Sequence, residues 1–83
     1  MMRTLEIDLC IESDAELLTK LGKQATPAGD VTINSTGHCV GGVVTCTIYG
    51  PVTAILAWLV REWEDETEAL ETLINLAADG KLQ

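Results

Sequence analysis

The longest mainly apolar run in the chain is 51–60, from Pro51 to Val60, and a run of that length must be covered by something. Val52, Ile55, Leu56, Leu59 and Trp63 recur at helical spacing. Ala54, Trp58 and Val60 widen the stripe beyond a single face, as expected of a helix buried on more than one side. Pro51 suits the first helical position, where its missing N–H is not needed. The run is too short for a bilayer, which takes about 20 apolar residues. The pattern therefore predicts a core helix, with enough apolar surface to suit self-association as well.

Before that run, Leu5, Ile7, Leu9 and Ile11 alternate with Glu6, Asp8 and Cys10, which predicts a half-buried strand over residues 3–11. Ser13 followed by Glu16 has the form of a capping box, and Leu17, Leu18 and Leu21 share a face, so a helix is expected over 14–24. The stretch 25–30, with Pro27 and Gly29, reads as a loop. Strands are expected at 31–40 and 43–49. A two-residue turn at Gly41-Gly42 would set Val40 opposite Val43 and Gly37 opposite Cys46. A wider loop over 35–42 is the rival.

After 60 the chain turns acidic. Leu70, Leu73, Ile74 and Ala77 continue an apolar stripe to about residue 78, where Gly80 marks a stop. Asp65 with Glu68 repeats the capping pattern. This favours two helices with a bend over 64–67 rather than one long helix. The predicted order is β-α-β-β-α-α in one α+β domain spanning residues 1–83. Helices pack on one face of a three-stranded, mainly antiparallel sheet.

Charge changes the picture most. Thirteen acids against five Lys and Arg give a net charge of -8. This disfavours direct binding to nucleic acid, which relies on cations neutralising phosphate, and equally disfavours an anionic membrane. Glu62, Glu64, Asp65, Glu66, Glu68 and Glu71 fall within ten residues of each other, beside Trp63. Such a cluster has a bland reading as a solvated face that keeps a small apolar chain in solution. Its functional reading is a docking surface for a basic site on another protein, with Trp63 as an apolar anchor. Trp58 and Trp63 lie five apart and cannot fully share a face, so one is expected in the core.

Other chemistry finds little support. His38, Cys39, Cys46 and Cys10 are the soft ligands, but no CxxC pair is present and no metal or other cofactor is expected. Nothing marks a low-pKa thiol, and one His without a motif does not make an acid–base pair, so the chain is not read as an enzyme. Gly37, Gly41 and Gly42 lack the Lys-Ser/Thr partner of a phosphate loop. Three cysteines without a scaffold spacing and a start lacking a secretory apolar region point to a cytoplasmic protein. The expectation is thus an acidic protein-binding module, acting as an inhibitor or nucleic-acid mimic. Compact acidic α+β chains of this length include phage-encoded inhibitors of host defence, an analogy of size and charge alone. The alternatives are a homodimer with no external partner and a small-ligand-binding domain.

Overall fold

The computed structural model describes residues 1–10, 25–35 and 42–83, together with Ala15 and Thr19. The elements are β1 (Met2–Cys10), β2 (Ala25–Thr26), β3 (Gly29–Asp30), β4 (Thr32–Ser35), β5 (Val43–Pro51), α1 (Val52–Trp63) and α2 (Glu66–Ala78). The helix expected over 14–24 lies outside the described residues apart from Ala15 and Thr19, as do His38, Cys39 and Gly41.

β5 is the centre of an antiparallel sheet with strand order β1-β5-β4. Alternation along the strands decides which face is buried. Leu5, Ile7 and Leu9 of β1, Ile33 of β4 and Val44, Cys46 and Ile48 of β5 all point into the core. Glu6, Asp8 and Cys10 face out, as do Thr32, Asn34 and Tyr49. Against the apolar face lie Ala54, Ile55, Trp58 and Leu59 of α1 and Ala69 and Leu73 of α2. This is the two-layer α+β arrangement that the alternation predicts. Trp58 is completely buried, and its indole Nε1 finds no hydrogen-bond acceptor among the described residues.

The register of β4 on β5 differs from the tight-turn expectation. Ser35, not Gly37, lies opposite Cys46, and Ile33 lies opposite Ile48. The shift is two residues, so every side chain keeps its face. Hydrophobic alternation cannot distinguish registers that differ by an even number. The tight-turn register is therefore not the one adopted, and residues 36–41 lie outside the described residues.

Two further features depart from the sequence reading. Residues 25–30, expected as a loop, pair as a minimal hairpin, with Ala25 opposite Asp30 and Thr26 opposite Gly29. Pro51 is not the first helical residue: it is extended (φ -60°, ψ 145°), ends β5 and caps α1. The strand thus passes directly into the helix. Gly50, just before, lets the hairpin side approach closely. A Cβ there would sit 3.0 Å from the Asp30 carbonyl oxygen and 3.1 Å from Val31 Cγ1.

The end of the chain returns to the sheet. Thr4 N–H donates to the Gln83 carbonyl (2.8 Å), Gln83 N–H to that of Thr4 (2.8 Å), and Glu6 N–H to that of Lys81 (2.9 Å). Gly80, at φ +79°, makes the turn that allows this, a conformation that costs glycine nothing. Leu82 packs on the core as it pairs with Leu5. Among the described residues no helix is long and apolar enough to cross a membrane.

Candidate functional site

The acidic stretch folds as an elbow between two helices. α1 stops because Glu64 is left-handed (φ 54°, ψ 27°), and α2 begins because Asp65 is extended and its carboxylate accepts the Glu68 N–H at 3.1 Å. The bend falls within the expected 64–67 and uses the Asp65–Glu68 pairing read from the sequence. Because the helix breaks here, Glu62/Glu66 and Glu64/Glu68 are not stacked one turn apart on a single helix. The repulsion expected of such pairs, about 0.2–0.5 kcal/mol each, does not apply in that form.

Glu64, Asp65, Glu66, Glu68 and Glu71 are all exposed, and none forms an ion pair with another described residue. The neighbouring cation, Arg61, directs Nη2 to the Ala25 carbonyl at 2.6 Å, tying α1 to β2. Local structure explains some of these acids. Asp65 caps α2, and Glu66 and Glu68 lie in its first turn, where they complement the positive end of the dipole. Glu71 lies beyond that turn. Glu64 occupies a conformation that disfavours any residue with a Cβ. Among the described residues neither side chain makes a hydrogen bond or ion pair.

The other two predicted residues are placed differently. Glu62 and Trp63 are half-buried, and with Asp8, Leu9 and Cys10 they line a pocket of about 250 Å³ at the end of β1. Trp63 packs against the core cluster, so of the two tryptophans Trp58 is the internal one and Trp63 the partly accessible one.

One feature escaped the sequence reading. Leu70 and Ile74 were expected to continue the core stripe with Leu73, but they are 44% and 58% exposed. The buried line of α2 is instead Ala69 and Leu73, with Leu76 partly covered. Ala69, next to Leu70, is completely buried, so the inward face passes through it and leaves Leu70 outside. A second, open groove of about 470 Å³ lies nearby, lined among the described residues by Pro27, Thr53, Leu56, Ala57, Val60, Arg61 and Glu66.

Two of the three cysteines lie among the described residues. Cys46 is fully buried, and burial first, then the Asp8 carboxylate, pushes its thiol above the ordinary 9.0. Such a thiol is unreactive at neutral pH. Cys10 is exposed. No group of three or more His, Cys, Asp or Glu is placed to hold a metal ion among the described residues. Compared with protein-family models, curated proteins and solved structures, the chain finds no match.

Proposed function

We propose that the chain is an acidic protein–protein interaction module that docks its elbow on a basic site of a partner, acting as an inhibitor or as a mimic of nucleic acid. The observation carrying this reading is the exposed set Glu64, Asp65, Glu66, Glu68 and Glu71, left without a pairing cation among the described residues. Carboxylates gathered in one place create a local negative potential that speeds encounter with a cationic surface and makes it sensitive to salt. Glu64 adds weight. A left-handed residue is a position where glycine is ordinarily favoured, so a charged side chain kept there at a cost to stability is a candidate for function.

The test separates the acids that build the fold from those that do not. Bait carrying Glu64→Lys and Glu71→Lys, with Asp65, Glu66 and Glu68 untouched, is compared with wild type in affinity capture from the cells of origin at graded salt. A partner retained by wild type at low salt, shed as salt rises and missed by the reversed bait supports the reading. Identical capture by both baits would remove it. The homodimer reading draws on the exposed Leu70 and Ile74. A concentration-dependent mass in sedimentation, abolished by substituting those two residues, would favour it.

A further inference from the structure

Leu70 and Ile74 lie one turn apart on α2 and are the exposed large apolar side chains of that helix. Glu66 lies one turn before Leu70, so residues 66, 70 and 74 share a face. Glu66 also lines the groove beside Leu56, Ala57 and Val60. Glu66 thus belongs to both features, lining the groove and heading the exposed apolar strip of Leu70 and Ile74 on its own helix. Acids flank the strip, Glu66 one turn before Leu70 and Glu71 next to it in sequence, while Arg61 is the cation lining the groove among the described residues.

We infer that this strip seats a cationic amphipathic helix of the partner protein, its apolar face on Leu70, Ile74 and the groove, its lysines or arginines against Glu66, Glu71 and the elbow. The inference rests on the docking reading above and gives the partner's site a chemistry. Three observations select this occupant. Leu70 and Ile74 stand one turn apart on one helix face, the spacing of anchors in the helix-in-groove mode of recognition. The acids flanking the strip complement positive charge. A second copy of the chain would bring two proteins of net charge -8 together, which like-charge repulsion opposes. Apolar anchors within a charged border also divide the work: the border sets encounter rate and salt dependence, and the anchors set residence time.

The test uses synthetic peptides of about 18 residues made of Leu and Lys, long enough to span several helical turns. One places Leu at helical spacing on a single face; the other has the same composition scrambled so that no face forms. Binding is read by fluorescence anisotropy of labelled peptide for wild type, for Leu70→Ser with Ile74→Ser, and for Glu64→Lys with Glu71→Lys. Both serine positions are exposed, so the fold is retained, and far-UV circular dichroism checks this.

The patterned peptide is expected to bind wild type about tenfold or more tightly than the scrambled one, the scale of one well-buried apolar anchor. The serine pair should erase that advantage while leaving the weak binding of the scrambled peptide unchanged. The charge-reversed pair should weaken both. Equal binding of the two peptides, or an advantage that survives the serine pair, overturns the inference while leaving charge-driven docking intact. Binding of both peptides unaffected by charge reversal overturns the docking reading itself. A dimer in sedimentation that the serine pair disperses also overturns the inference, because the strip is then covered by a second copy.

Discussion

Replacing Glu64 with Gly should make the protein more stable, although it deletes a side chain from the proposed binding surface. Glu64 has φ 54° and ψ 27°. A residue with a Cβ pays about 1–2 kcal/mol to hold the left-handed helical conformation, and glycine does not. Glycine gives back about 0.5–1 kcal/mol through the greater freedom of its unfolded chain. Removing one carboxylate adds only minor relief, because the broken helix does not stack Glu64 one turn from Glu68. The net expectation is a gain of about 0.5–1.5 kcal/mol, or a few degrees in Tm for a domain of this size. Glu64→Gln isolates the charge, and Glu64→Ala keeps the backbone cost. Urea unfolding followed by tryptophan fluorescence should rank Gly above Gln, with unchanged m-values. Binding of the cationic peptides should fall in Gly and Gln alike. If Gly is no more stable than Gln, the left-handed residue carries no strain, and the argument that Glu64 is retained for function loses its basis.

Other substitutions probe the frame that presents the elbow. Asp65→Ala should cost about 1 kcal/mol by removing the acceptor for the Glu68 N–H, while Asp65→Asn keeps the cap and most of the stability in the same urea titration. Gly50→Ala should cost about 1–3 kcal/mol, because its Cβ would press on the Asp30 carbonyl and Val31; an unchanged midpoint would show that the hairpin gives way freely. Cys46 sets a pH dependence. Its thiol is held neutral in the fold by burial and by Asp8, so above the ordinary 9.0 the unfolded chain loses the proton first. Stability from this group is therefore full below pH 9 and declines as pH rises past it, and Cys46→Ala should remove that slope whatever it costs in packing. At pH 8 a thiol reagent should modify Cys10 in the native protein and reach Cys46 only on unfolding.

Where one period governs one element, the sequence carried the fold. Alternation located β1 and the inward face of β5. The 3.6-residue stripe located α1, and the Asp65–Glu68 spacing located the break before α2. Gly80 ended the last helix as expected. What parity cannot encode was lost: the two-residue shift of β4 on β5 leaves every face unchanged. What backbone hydrogen bonds alone encode was also lost. The hairpin at 25–30 and the return of Lys81–Gln83 to β1 involve two or three residues each, too few for any periodicity. At the candidate site, clustering of acids gave the elbow, but Leu70 and Ile74 read as core because an apolar stripe does not reveal which of its edges faces inward. The edge that faces inward carries Ala69 and Leu73.

The most direct test of the account is amide hydrogen exchange of the chain, alone and with the protein it captures. Protection on binding should centre on residues 64–75, the elbow and the exposed face of α2, and should diminish as salt is raised. Protection confined instead to the outward sheet face around Tyr49, or independent of salt, would contradict the claim that this protein works through its acidic elbow.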